Sequence, residues 1–337
     1  MAKRKVGVLV MSYGTPESLD QIEAYYTHIR RGSPPSSEQL ADLIRRYEAV
    51  VGGFFPLREN TNNQVKALEI MLNESSATLD ESTAVLIESS SSTEPESSEI
   101  EFVCYQGLKH ASPFIEDGVQ QMTDDGIQEA IGIVLAPHYS IMSVGSYIKR
   151  AEEKAAELGV NIRFVKSYHL HPKFIEALTQ RIVRAIMRFD TKSESATPNQ
   201  VRVIFTAHSL PEKIVEMKDP YPEQLLETTN TIAANLQLNN FQFAWQSAGR
   251  TATPWLGPDI LNVLRSIHVE ENVNQVLICP IGFVSDHLEV LYDIDIEAQK
   301  VAAELGIHLE RTESLNTDPL YMQTLCDVIR SRLKGDE

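Results

Sequence analysis

Short, unbroken apolar runs alternate along the chain with longer stretches of helical periodicity. The runs cover residues 6–11, 102–106, 131–136, 162–165, 201–207, 241–245 and 276–281. A run that stays apolar, rather than alternating with polar residues, suits a strand covered on both faces, as in a parallel sheet. Between the runs, residues 17–30, 37–49, 62–72, 113–124, 144–158, 172–189, 222–236, 258–269 and 287–305 carry apolar positions at helical spacing. Repeated strand–helix alternation predicts an α/β fold with parallel sheets flanked by helices. Each half of the chain holds about four strands, so two similar domains are expected, over residues 1–140 and 141–318. A last helix over 319–333 is expected to pack back on the first domain.

One segment breaks the rhythm. Residues 73–99 read NESSATLDESTAVLIESSSSTEPESSE. Such a composition buries too little apolar surface to offset its ordering entropy. An acidic, Ser-rich solvated insert is expected over about residues 75–99.

The formal charge of −17 and the isoelectric point near 5.0 narrow the choice of partners. An acidic surface repels a phosphate backbone, so nucleic acid is not expected, whereas metal cations are favoured. The cysteines Cys104, Cys279 and Cys326 are scattered and odd in number. They are too few for a four-thiolate zinc or iron–sulfur centre and fit reduced thiols. The basic start, Met1-Ala2-Lys3-Arg4-Lys5, precedes an apolar run too short for a signal peptide, and no stretch reaches the length of a transmembrane segment. A cytoplasmic protein is expected.

Ligands of parallel α/β folds bind beyond the carboxyl ends of the strands. The first strand runs into Ser12-Tyr13-Gly14-Thr15, the third into Pro137-His138-Tyr139-Ser140, the fifth into His208-Ser209-Leu210-Pro211, and the seventh into Ser285-Asp286-His287-Leu288-Glu289. Aromatic, imidazole and carboxylate groups thus reach equivalent edges, as a catalytic site requires. Glu289, Asp293 and Glu297 follow at i, i+4 and i+8. On one helix face they would stack about 6 Å apart, a pitch that suits a hydrated divalent cation as well as a solvated acidic face. The pairs Arg30-Arg31 and Arg45-Arg46, with Tyr25, Tyr26 and Tyr47 nearby, suit a flat ligand that bears carboxylates. No Gly-rich phosphate loop and no G-x-S-x-G elbow is present.

These residues resemble a known family. Met11-Ser12-Tyr13-Gly14-Thr15-Pro16, Tyr26-Thr27-His28-Ile29-Arg30-Arg31-Gly32, Ala207-His208-Ser209-Leu210-Pro211, Trp245-Gln246-Ser247, Trp255-Leu256-Gly257-Pro258 and Gly282-Phe283-Val284-Ser285-Asp286-His287-Leu288-Glu289 together resemble the ferrochelatases, class II chelatases. The likeness is strongest to the short monomeric enzymes of Gram-positive bacteria and omits only the insert. It implies two Rossmann-like domains with a porphyrin cleft between them, and insertion of Fe(II), a substrate, with no organic cofactor and no iron–sulfur cluster. It implies that His208 and Glu289 form the metal-binding and proton-accepting pair, and that Tyr13 can be an axial ligand of the product iron. It implies porphyrin contacts from Tyr13, Arg30, Arg46, Tyr47 and Tyr147. It makes Asp293 and Glu297 a secondary cation track, where Mg(II) could sit. Phe55 departs from the pattern, since relatives often carry Ser before that Pro.

The expected substrate is coproporphyrin III, yielding coprohaem III in haem biosynthesis, with transient contact to neighbouring enzymes of that pathway. Three other readings stand beside it: a protoporphyrin IX ferrochelatase, a cobalt chelatase of corrin synthesis, and a non-catalytic haem carrier. The acidic track argues against a carrier, which needs no path for free metal.

Overall fold

A computed structural model of the chain describes residues 3–50, 55–82, 100–189, 201–249, 251 and 253–335. It contains two four-stranded parallel sheets. The first holds β1 (Arg4–Ser12), β2 (Ile100–Leu108), β3 (Glu129–Val134) and β4 (Asn161–Val165) in the order β2-β1-β3-β4. The second holds β5 (Arg202–His208), β6 (Phe241–Gln246), β7 (Gln275–Pro280) and β8 (His308–Arg311) in the order β6-β5-β7-β8. The second order is the first repeated, so the two halves share one topology. All seven expected strands are present. The eighth, β8, has the sequence HLER and only one fully buried residue, so it offers no apolar run to read.

The helices flank these sheets: α1 (Ile22–Ile29), α2 (Ser37–Ala49), α3 (Pro56–Ser82), α4 (Ile115–Asp124), α5 (Val144–Leu158), α6 (Pro172–Ile186), the single turn α7 (Lys213–Glu216), α8 (Tyr221–Asn235), α9 (Ile260–Glu271), α10 (Leu288–Leu291), α11 (Gln299–Leu305) and α12 (Pro319–Lys334). Three expectations change. First, α3 runs past residue 72 into the polar segment, because no Gly or Pro interrupts its hydrogen bonding there. Asn73 is pinned rather than free, since its amide exchanges hydrogen bonds with the Phe102 backbone at 2.9 and 3.0 Å. The rest of the expected insert, residues 83–99, lies outside the described residues. Second, the helix expected over 287–305 is broken. A π-helical turn (Asp293–Ala298) separates α10 from α11, and the Glu297 N–H bonds the Tyr292 carbonyl at 2.9 Å, five residues back. Third, the division at residue 140 cuts the first sheet. β4 pairs with β3 from Glu129↔Asn161 onward, so α5 and β4 belong to the first half.

One apolar core joins the halves. Val8, Val10 and Ile133 of the first sheet and Val203, Phe205 and Leu277 of the second belong to the same buried cluster, bridged by Phe174 and Ile182 of α6 and Tyr321 and Leu325 of α12. Burying side chains of this size stabilises by about 1.5–3 kcal/mol each. Separate clusters fill the outer faces, under α4 and α5 on the first sheet and under α9 and α11 on the second. The C-terminal helix α12 lies against α3, β3, β4 and α6. Its N-terminus is capped by Asp318, whose carboxylate accepts from the Leu320 and Tyr321 amides at 2.9 and 3.2 Å.

That cap is also half of a buried ion pair. Arg181 of α6, 7% exposed, donates to Asp318 Oδ2 at 3.0 Å and to the carbonyls of Ala177 and Leu315. Removing one partner of such a pair strands the other charge away from water. Arg181→Met should therefore cost about 3 kcal/mol, read as a lowered denaturant midpoint. An unchanged midpoint would mean that apolar packing alone holds α12.

Candidate active site

The carboxyl ends of β1, β3, β5 and β7 open onto one cleft of about 500 Å³, a volume suited to a small organic ligand. Its walls come from both halves. Ser12–Thr15 follow β1, and Tyr25, Tyr47 and Gln64 enter from α1, α2 and α3. Tyr147 enters from α5, and the second half supplies His208, Trp255 and the segment 282–289. The close approach behind β5 depends on Gly282, where an added Cβ would sit 2.5 Å from Ala207 Cβ and 3.0 Å from its Cα.

His208 ends β5, and Glu289 sits in the first turn of α10. His208 Nε2 lies 3.3 Å from Glu289 Oε1. The other ring nitrogen, Nδ1, donates to the Ser209 carbonyl, which turns Nε2 toward the cleft. The second carboxylate oxygen, Oε2, faces His287 Nε2 at 3.5 Å, and His287 Nδ1 donates to the Ser285 carbonyl at 2.9 Å. Glu289 is thus flanked by two imidazoles, each tied through Nδ1 to a backbone carbonyl and presenting Nε2 to the carboxylate. Its backbone is tied too: the Gln246 amide at the end of β6 donates to the Glu289 carbonyl at 3.0 Å and accepts from Thr206 Oγ1 at 2.7 Å. Burial opposes charge on both members of the pair, but their mutual attraction wins. His208 is raised to about 9, and the Glu289 carboxyl is held well below its usual range, against burial, by His208 and then His287.

Asp293 begins the π-helical turn and is 9% exposed. It accepts from Ser247 Oγ and lies 3.7 Å from Arg46 Nη1. Burial pushes its carboxyl up to about 6, with Glu289 adding to the rise and Ser247 and Arg46 opposing it. Glu297, half-buried, lies one π-turn on and also raises Asp293. Asp286 leaves this row. Ser314 and Asn316 donate to its carboxylate at 2.8 and 3.0 Å. Among the described residues no three His, Cys, Asp or Glu side chains converge into a metal cage.

The remaining expected residues divide. Tyr13, 41% exposed, and Tyr147 line the cleft. So does Tyr47, whose hydroxyl is 3.2 Å from Thr15 Oγ1 and whose ring packs on Phe55 at 4.8 Å. Phe55 thus joins a small apolar cluster with Ile22 and Tyr47. The arginines do not line the cleft. Arg46 is engaged by Asp42 at 3.1 Å, by Asp293 and by the Tyr292 ring at 4.9 Å. Arg30 donates to the Ser33 carbonyl at 3.1 Å and lies over Tyr26. His287, read in the sequence as part of the seventh strand's exit, lies against the second carboxylate oxygen of Glu289, whereas the sequence reading omits the wall residue Lys109. Lys109 follows β2, and Gly107-Leu108-Lys109-His110 would have been found by reading that strand's exit as well.

The pair has a pH signature. His208 rises from an ordinary 6.5 to about 9, so its stabilising contribution is complete below pH 6.5 and is lost as pH climbs through 9. Glu289 falls from 4.5, so its contribution is complete above pH 4.5 and is lost at lower pH. The difference in melting temperature between the wild type and Glu289→Gln should be greatest near pH 5–6.5 and shrink steadily as the solution is made alkaline. A difference that grew with pH would show that the pair is not ionised as described.

The family model described as Ferrochelatase matches residues 5–333. A coproporphyrin III ferrochelatase of Halalkalibacterium halodurans is 44% identical over 338 residues, covering 100% of both chains. One of Geobacillus thermodenitrificans is 44% identical, covering 100% of this chain and 99% of its own. Among solved structures, the sirohydrochlorin chelatase SirB of Bacillus subtilis subspecies spizizenii in complex with cobalt shares the fold, with a TM-score of 0.54 at 10% identity over 98% of this chain and 96% of its own. With a family match over nearly its whole length and full-length relatives at this identity, the chain belongs to the ferrochelatase family.

Proposed function

We propose that this chain inserts Fe(II) into coproporphyrin III, the ring in the names of its relatives. The observation that carries the reading is the His208–Glu289–His287 row set into the wall of a two-sided cleft that also presents tyrosine, phenylalanine and tryptophan rings. Metallation binds one Fe(II) and releases two pyrrole protons, so the site needs a ligand for the metal and acceptors for the protons. At neutral pH the His208–Glu289 pair holds one proton, on the imidazole. An arriving cation displaces that proton, since only neutral imidazole ligates. The displaced proton leaves to solvent. As the metal passes into the ring, the released His208 accepts one pyrrole proton with Glu289 as its charged partner, and the second pyrrole proton goes to Asp293.

Asp293 is assigned the onward step. A carboxyl near 6 passes protons readily close to neutrality. With Glu297 it forms the proposed cation track, the place where a divalent ion such as Mg(II) would sit. The scheme uses no organic cofactor and no cluster. The aromatic walls contribute by holding the macrocycle bent, so that binding energy on the ring edge is spent at its centre. Tyr13, on the part of the wall that the first half supplies, is assigned as the ligand of iron in the product. Cytoplasmic action as a monomer, with transient hand-over to neighbouring enzymes of the pathway, completes the reading. Among the described residues no helix is long and apolar enough to cross a membrane.

Anaerobic mixing with Fe(II) and coproporphyrin III should quench porphyrin fluorescence at a catalytic rate, and protoporphyrin IX should react more slowly. His208→Ala should lower the rate by at least about a hundredfold while its melting temperature stays close to the wild type's. Turnover close to normal would remove His208 from the mechanism. Tyr13→Phe should shift the visible spectrum of the iron-porphyrin complex, and an identical spectrum would exclude ligation by Tyr13.

A further inference from the structure

A ring that carries carboxylates needs cations to receive them. Of the two arginines expected to do so, Arg46 is held by Asp42 and Asp293, and Arg30, exposed and outside the cleft wall, donates through Nε to the Ser33 carbonyl. Among the described residues the cleft wall presents a single lysine or arginine, Lys109, in the loop that leaves β2. Its backbone is fixed. The Lys109 N–H donates to the Ser12 carbonyl at 2.9 Å, and its own carbonyl accepts from Arg150 Nη1 at 2.7 Å. Arg150 is in turn clamped by both oxygens of Glu116, at 2.7 and 2.6 Å. The carboxylate of this neighbourhood is therefore spent on Arg150.

Lys109 itself forms no ion pair among the described residues. Its ammonium donates to Ser146 Oγ at 2.7 Å and lies 4.7 Å from the centre of the Tyr147 ring, a wall residue. One of its three N–H groups is used and two remain. Arg150 and Arg31 both push against its charge. A half-buried ammonium without a counter-charge, facing like charges, is costly unless an anion arrives. The anion's place is the cleft.

Resting on the function proposed above, we infer that Lys109 is the carboxylate anchor of the cleft: its ammonium receives one propionate of the ring at the lip formed by the β2 exit loop and α5. The anchor fixes the ring's rotation about its own axis and selects rings with a carboxylate on that edge. The ammonium itself lies over the Tyr147 ring, so it is aimed rather than free to wander.

The groups around it permit a clean test. Arg31 and Arg150 keep their charge at any practical pH. Burial first, and then neighbouring cations, hold His28 down and His110 down to about 3, so both stay neutral. Tyr147 is raised well above its usual range by burial, and Glu116 is kept ionised by Arg150 against burial. Burial, followed by Arg150 and Arg31, brings Lys109 down to about 8. Across the cleft His208 titrates near 9, but it does so equally in a Lys109→Arg variant.

Metal-free coproporphyrin III should be titrated onto wild type, Lys109→Arg and Lys109→Gln, following tryptophan fluorescence. At pH 7, Lys109→Gln should bind about tenfold more weakly or worse, as expected for loss of a charge-assisted hydrogen bond, and Lys109→Arg should stay within about threefold of wild type. Between pH 7.5 and 9.5 the wild type should lose about tenfold more affinity than Lys109→Arg, which cannot deprotonate. The melting temperature of Lys109→Gln should equal or exceed that of wild type, because an uncompensated charge has been removed. Wild-type affinity in Lys109→Gln, parallel pH profiles for wild type and Lys109→Arg, or a lowered melting temperature in Lys109→Gln would each overturn the inference. A wild type that neither binds nor metallates the ring would overturn the proposed function instead.

Discussion

Parallel pairing is the constraint on which the rest of the structure depends. In a parallel sheet every strand delivers its carboxyl end to one edge, and the return connections cover both faces with helices. The chain does this twice with the same strand order. Tyr13 after β1, His208 at the end of β5 and Glu289 after β7 are hundreds of residues apart in part, yet they line one cleft because each follows a strand exit. The single apolar core shared by both sheets, closed by α6 and α12, keeps the two edges in register with each other.

Within the cleft, charge is arranged by opposition. Burial works against the ionised groups there, and the outcome depends on what each group faces. His208 and Glu289 keep each other charged. Asp293, with a weaker set of partners, settles near neutrality. The π-helical turn bears on this arrangement. Such turns widen the helix and re-aim the side chains that follow, and this one begins at Asp293, between the paired Glu289 and the half-buried Glu297. Arg46 buttresses the same turn through Asp293 and the Tyr292 ring, which is why it does not serve the cleft directly. The surrounding acidity of the chain, −17 overall, favours the approach of cations to this edge.

Gln64 connects the two halves at the floor of the site. Its amide, 1% exposed, donates to Ser285 Oγ at 2.9 Å and to the Asn316 carbonyl at 2.8 Å, and Asn60 on the same helix donates to the Asp286 carbonyl at 3.2 Å. The segment that carries His287 and Glu289 is thus held from the first half as well as the second. A site whose reacting groups must stay within tenths of an ångström benefits from such support.

The sequence by itself determined the α/β class, seven of the eight strands, the duplicated architecture and the residues at the strand exits, because those follow from local pattern: apolar runs, helical spacing and the chemistry at each run's end. It also determined the family, through motifs spread along the chain. Only the tertiary structure decided what lies opposite what. It moved β4 into the first sheet, added the edge strand β8, broke the helix after Glu289 with a π turn, and set His287 on the far side of Glu289. It committed Arg46 to Asp42 and Asp293, left Arg30 exposed outside the cleft wall, and left Lys109 in that wall without a carboxylate partner among the described residues. The physical reason is that an ion pair is a contest among neighbours distant in sequence. The identity of an arginine shows that it is charged, and only its place in the fold shows which carboxylate has already claimed it.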